Sequence, residues 1–319
     1  MTGRGTGAAF LTIALLPLFF VLFFAQRTVH ADVPGLPTPM PEAYAAMPFE
    51  NRSGIAGLDW MRLAVPFVLA ERAEGIARLR PGYGEMVLNA APVHNDKISL
   101  AEVAAFAKEH RLDWVLGGWI RRPDWKLELG ISLYRVRGGT AELAAQEVMT
   151  GDFKNVHALL GTALNAIVAS AGLASSGDRL ELVNRASSTD FYAFTLFGRA
   201  LGAMLSATTP ADRSKAGQGM QRAVYIEPTF TEAQRLFALE QQRLAKPLLA
   251  MVRLETILKA RPQYAAALMA YGRIAQSRSQ LRLATEVSER VVRLRPWDLE
   301  ARYELGMLHW HQDHGEEAF

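Results

Sequence analysis

The residues best suited by type to do chemistry cluster near the carboxyl end, where His309, His311 and His314 surround Asp313 in the run HWHQDH. On a helix, His311 and His314 are three apart and share a face, a spacing that chelates zinc or nickel, while His309 is turned away. The simpler reading is a polar helix end with one packed histidine, and no metal is expected. Asn51-Arg52-Ser53 fits a glycosylation sequon, but it also fits a turn between a strand and a helix, and the turn is adopted here. Gly82-x-Gly84 and Gly117-Gly118 have the composition of phosphate loops. Neither lies between a strand and a helix N-terminus with a lysine behind it, so no nucleotide site is assigned. Asp59 with Glu71, and Asp124 with Glu128, are the carboxylate pairs on offer, and no histidine or serine joins them in a known motif. The expectation is a chain with no catalytic residues and no cofactor.

What must position any site follows from composition. The chain has 319 residues, half of them hydrophobic and 21% charged, which is the balance of a globular protein with room for two domains. Its 35 basic and 32 acidic side chains leave +3, with no block of five like charges. A nucleic-acid partner needs a concentrated basic stripe, so none is expected. No cysteine is present, which excludes disulfides, thiolate zinc sites, a cysteine nucleophile and a lipoprotein anchor.

The N-terminus has the three parts of an export signal: Arg4, an apolar run at 8–25, and Val29 and Ala31 at the small-residue positions of a cleavage site. The run of 18 is long for a signal and at the lower limit for a membrane span. Residues 1–31 are therefore a signal peptide or an uncleaved signal anchor. In either case the remainder faces away from the cytoplasm, in the periplasm or beyond, and touches the membrane only if the segment is uncleaved. A proline-rich linker follows at 32–42, with four prolines in DVPGLPTPMPE.

From 43 to 174 strands and helices alternate. A short strand is expected at 43–49, a helix at 59–79 with Pro66 starting or kinking it, and a strand at 86–90. Ser99 with Glu102 forms a capping box for a helix through His110. The apolar run 113–121 is a central strand, and 126–136 alternates, with Leu127, Leu129, Ile131 and Leu133 on one face. Arg137-Gly138-Gly139-Thr140 turns into a strand near 142–150, and a helix at 156–173 closes the domain. A linker is expected at 175–190.

The remainder, 191–319, is helical and periodic. Pro228, Pro262 and Pro296 stand 34 residues apart, each after an amphipathic stretch. This is the period of the tetratricopeptide (TPR) repeat, a pair of helices A and B ended by proline. Phased on the prolines, Ala216, Ala250 and Ala284 fall at the tight position of helix B, and Gly198, Ala238, Gly272 and Gly306 at that of helix A. The first repeat carries about six extra residues around Thr208-Thr209-Pro210 by this phasing. The fourth stops at Phe319, just into helix B, so either the chain is a fragment or a partner covers that end.

These residues carry a resemblance. Pro48-Phe49-Glu50-Asn51-Arg52-Ser53, Asp59-Trp60, Leu69-Ala70-Glu71-Arg72 and Asp113-Trp114-Val115-Leu116-Gly117-Gly118 resemble the TolB amino-terminal-like α/β domain, related to curli-secretion and flagellar accessory domains. Residues 191–319 resemble TPR arrays. The resemblance implies an α/β domain of mixed sheet with flanking helices, followed by an all-α right-handed superhelix. It also implies an envelope or regulatory interaction module, with no catalytic residues. The function expected is that of an exported bacterial scaffold that binds other cell-envelope proteins along a groove lined by helix A of each repeat. The groove positions are Arg199, Arg235, Leu239, Gln242, Met269, Arg273, Gln276, Tyr303, Met307 and Trp310, types enriched where partners bind. Their arginines point to an acidic partner peptide. The alternative is a membrane-anchored sensory or regulatory module whose α/β domain binds a small ligand.

Overall fold

The computed structural model describes residues 40–76, 78–81, 98–173 and 188–312. Residues 1–39, the strand expected at 86–90, the Gly82/Gly84 pair, most of the linker expected at 175–190, Asp313 and His314 lie outside them. Among the described residues no helix is long and apolar enough to cross a membrane.

The N-terminal part is built on one mixed sheet of β1 (Glu42–Ala46), β2 (Glu50–Asn51), β3 (Leu79–Pro81), β4 (Trp114–Arg121), β5 (Leu127–Arg137) and β6 (Thr140–Gly151). The spatial order is β3-β1-β4-β5-β6, with β2 also on β4. The first four strands pair parallel and the last three antiparallel, so β4 lies at the junction. The period-two pattern of β5 sends Leu127, Leu129, Ile131 and Leu133 into one core, where all are buried. On that face pack α1 (Met61–Ala73) and α3 (Val156–Ser170). The other face takes Ala43, Ala45, Met47 and Val115 against Val103 and Phe106 of α2 (Leu100–His110).

Local signals act as their chemistry requires. Both halves of the Ser99–Glu102 capping box are formed. Asn51 Oδ1 accepts from the Ser53 amide at 3.1 Å, and its Nδ2 donates to the Ile55 carbonyl and to Asp59, so the sequon's amide is held inside a turn. The helix expected from 59 begins at Met61 and ends at Ala73, with Pro66 inside it. Leu79, expected as the last residue of that helix, instead opens β3. Close approach explains Gly117-Gly118 in the central strand: a Cβ on Gly118 would meet the Gly130 carbonyl and the Phe49 ring.

The C-terminal part is helical: α4 (Phe191–Ser206), α5 (Pro210–Ile226), α6 (Thr231–Arg243), α7 (Pro247–Ala260), α8 (Ala265–Ser277), α9 (Leu281–Leu294) and α10 (Leu299–His311). Successive helices pack on one another, and each periodic proline lies in the link between one pair and the next. Ala216, Ala250 and Ala284 are buried, and Gly272 faces Val287 and Ser288 of α9, as a close crossing demands. The first pair's extra residues lengthen helices rather than a loop. Thr209 caps α5 and Pro210 starts it, and the 16 and 17 residues of α4 and α5 exceed the 13 and 14 of α6 and α7. Gly198 is small for a different reason from its counterparts, because its neighbours are Trp60 and Ala64 on the sheet side.

No boundary separates the two parts in the core. Trp60 packs edge-on against Phe194 at 5.2 Å and Phe67 against Phe197 at 5.6 Å, while the His157 ring lies 4.5 Å from Phe194. The apolar cluster runs without interruption from the sheet through α4, α5 and the start of α6.

Candidate interaction surface

The last turn of α1 and the residue after it tie the sheet side to the helical part through ion pairs. Arg72 points into the α3 side, where its guanidinium donates to the His157 carbonyl at 2.8 Å and to His157 Nδ1 at 3.2 Å. Its neighbours Glu71 and Glu74 reach the helical part instead. Arg235 on α6 donates to Glu71 at 2.6 Å and to the Tyr264 hydroxyl at 3.1 Å, and that hydroxyl in turn donates to Glu71. Arg295, before α10, pairs with Glu74 at 2.7 Å and contacts Met269 Sδ at 3.4 Å. Arg261 stands 3.6 Å from Glu232, which is fully buried. Burial lifts the Glu74 carboxyl above its ordinary range, and the Arg295 guanidinium works against that lift.

The expected groove residues therefore divide. Arg235 is 6% exposed and held within the chain, which corrects the expectation that it projects from a solvated face. Leu239, Gln242 and Met269 are half-buried. Arg199 is exposed on α4. Arg273 and Gln276 are exposed on α8, and Arg273 is already paired with Glu300 at 2.8 Å and Glu304 at 2.9 Å. Tyr303 and Trp310 on α10 are 69% and 57% exposed, with Met307 half-buried between them. Met269, Arg273 and Gln276 share one cleft with Glu304 of α10. Arg199 and Arg235 line no part of that cleft.

Sequence reasoning missed the roles of the charges paired between α1 and the helices or within the helical part: Glu71, Glu74, Glu232, Arg261 and Arg295. A signal for three related positions was present. Glu227, Arg261 and Arg295 stand 34 residues apart, each just before a periodic proline, and all are charged. Glu227 accepts from the Ser188 hydroxyl and from the Thr189 amide at 2.7 Å, and so holds the start of α4. A charge repeated at one place in a period marks a position with a fixed partner.

Among the described residues no group of three His, Asp or Glu side chains could hold a metal ion. His309 and His311 end α10. Of the carboxylates weighed for acid–base work, Glu71 is ion-paired with Arg235, Glu128 with Arg121 at 2.6 Å, and Asp59 accepts from Asn51.

No family model matches the chain, and no curated protein matches it. Among solved structures the chain is similar to MamA, in a mutant and in an AMB-1 form. Each is 15% identical with a TM-score of 0.36, over 52% of this chain and 85% and 90% of theirs.

Proposed function

We propose that the chain is a non-catalytic interaction scaffold of the bacterial cell envelope, a TolB-like α/β domain fused to a TPR superhelix, which binds protein partners on the face formed by α8 and α10. One observation carries the reading: Tyr303 and Trp310 stand exposed on α10, while Arg235 of α6 is held by Glu71 and the α9–α10 link is held by Glu74 through Arg295. Aromatic side chains of this size supply most of the binding energy at interfaces because they bury large area at low entropic cost. The partner's chemistry changes accordingly. Arg235 is occupied and Arg273 is balanced by two carboxylates, so this face favours a partner with apolar anchors over an acidic one. Export rests on the signal-like residues 1–31.

The experiment is a crosslinked pull-down from intact envelopes with wild type, a Tyr303→Ala/Trp310→Ala variant, and an Arg282→Glu control on α9, where Arg282 is exposed and pairs with Glu286 of the same helix. Recovery of a partner should fall at least tenfold in the aromatic variant alone. Equal recovery in all three would remove binding from this face. In the same preparation the mature chain should begin at Asp32, and intact Met1 in a carbonate-resistant pellet would show an anchor instead.

A further inference from the structure

Between the pair α4–α5 and the pair α8–α9, one helix carries an apolar patch that its counterparts lack. On α7 the solvent-facing arc begins with Leu248, Leu249 and Val252, which are 59%, 54% and 60% exposed. Further along the same arc stand Glu255, Thr256 and Lys259, all exposed and polar. The apolar half therefore lies at the tip of the α6–α7 hairpin, where the turn adds exposed Leu244 and Ala245. The repeat does not require this. One period of 34 residues away, the counterparts of Leu248, Leu249 and Val252 are Ser214, Lys215 and Gln218 on α5, and Arg282, Leu283 and Glu286 on α9. Leu283 alone is apolar, and it is half-buried. Single exposed leucines are ordinary, but three large apolar side chains in one short arc form a patch.

We propose that this hairpin tip docks on an anionic lipid surface, with Leu248, Leu249 and Val252 entering the boundary of the acyl chains. Charge selects that occupant. Lys246 and Arg243 are exposed in the tip, as are Arg213 and Lys215 at the start of α5 and Arg278 in the turn before α9. The left-handed Ala245 and Ser279, one period apart, mark the turns before α7 and α9 as equivalent. The acids among these cations are Asp212, which accepts from the Thr209 hydroxyl, and Glu240, whose buried carboxylate takes Arg213 at 3.7 Å and Arg243 at 2.5 Å. Arg282 and Glu286 on α9 cancel as a pair. Five cations against two carboxylates leave this edge positive, so its occupant is anionic. A second copy would set the same cations against one another. A peptide needs walls, whereas residues 243–246 are exposed throughout and the tip stands out. Leucines ringed by lysine and arginine fit the layer where headgroup phosphates meet acyl chains. The contact goes beyond the scaffold reading, whose aromatic residues lie on α10.

The chain has no native cysteine, so a single introduced one reports a single position. Full-length Leu248→Cys and Lys259→Cys variants, each labelled with an environment-sensitive fluorophore, are reconstituted in phosphatidylcholine vesicles with and without phosphatidylglycerol. Whether or not residues 1–31 hold the chain on the bilayer, the label reads only its own depth. At position 248 the emission should shift to the blue when phosphatidylglycerol is present, and tail-brominated lipid should quench it several-fold more strongly than without. High salt should reverse both effects. The label at 259 should not respond. Lys246→Glu with Arg278→Glu, added to the Leu248→Cys chain, should abolish the response with helical circular dichroism unchanged. No quenching at 248, equal quenching in the two vesicles or at the two positions, or a response kept after the double charge reversal overturns the docking. A blue shift that appears only on adding soluble envelope proteins, without bromine quenching, gives the tip to a protein and overturns it too. None of these outcomes bears on the pull-down that tests Tyr303 and Trp310.

Discussion

Arg235 shows what a charge buried between two parts of a chain is worth. Its guanidinium is held by Glu71 and the Tyr264 hydroxyl, and the Glu71 side chain itself is only 12% exposed. Truncating one member of such a pair leaves the other charged and poorly solvated, which costs about 3–5 kcal/mol. Arg235→Ala should therefore lower stability by that amount in urea unfolding, whereas Arg199→Ala, on an exposed position, should stay within about 0.5 kcal/mol. Similar values for the two would mean that the Glu71 contact does not persist in solution. His157 adds a pH dependence of known sign. Arg72 donates to its Nδ1, so the ring carries its proton on Nε2, and burial together with the Arg72 charge holds its pKa down to about 3. An unfolded histidine takes up a proton near pH 6.5 and the folded one does not. The His157 contribution is fully present above about pH 6.5 and falls by about 1.4 kcal/mol per pH unit below it, until the folded ring protonates near pH 3. Denaturation at pH 7, 6 and 5 should show that slope, and His157→Asn should flatten it.

At the scale of elements, the positions that tolerate least are those where two backbones or a ring and a backbone nearly touch. A Cβ at Gly130 on β5 would enter the Trp119 ring of β4. Trp119 is itself buried, and the Arg121 guanidinium lies over it at 4.5 Å. Gly130→Ala should cost about 1–3 kcal/mol by overpacking. Gly138→Ala, in the β5–β6 turn at φ +57°, has open space around it and should cost about 1 kcal/mol for backbone strain alone. A thermal midpoint that falls further for Gly138 than for Gly130 would refute this ranking. Local devices of this kind were legible in the sequence. The Ser99 cap, the alternation of β5 and the glycine turn after it all act through neighbours a few residues away. The proline period was legible because it recurs at a fixed spacing of 34 residues along the chain. What could not be read was any feature made by distant residues. Nothing in the letters around Glu71 points to Arg235, 164 positions later. Gly198 reads as one more small residue of a helix crossing, although its neighbour is a tryptophan from the sheet side. Strand β3 was missed because three residues ending in proline carry no period.

For the whole molecule, the cores rather than the domain pattern define the cooperative units. One apolar cluster joins the sheet, α1, α3, α4, α5 and the start of α6, and a second joins the end of α6 with α7, α8, α9 and α10. Helical repeats contact mainly their neighbours, so stability passes along them by nearest-neighbour coupling and can fail locally at a free end. Here the first pair has no free end, because Phe194 and Phe197 are roofed by Trp60, Phe67 and His157. The α10 helix has Leu299, Tyr303 and Trp310 in the open, puts only Ala301 and Leu308 into the second core, and is otherwise held by polar ties: the Arg273 pairs, the Arg295–Glu74 pair and the Gln312–Thr285 hydrogen bond. Native-state hydrogen exchange should therefore divide the chain within the helical part rather than at the linker near 175–190. Amides of α4 and α5 should open with the same free energy as those of β4 and β5, since they belong to one core. Amides of α9 and α10 should exchange through openings several kcal/mol smaller, with α7 and α8 between. Trp60→Ala removes the ring that roofs α4 and should lower protection in both the sheet and α4 together. If α4 and α5 instead share one opening energy with α9 and α10, distinct from that of the sheet, the shared core is not the folding unit and the helical part stands as a domain of its own.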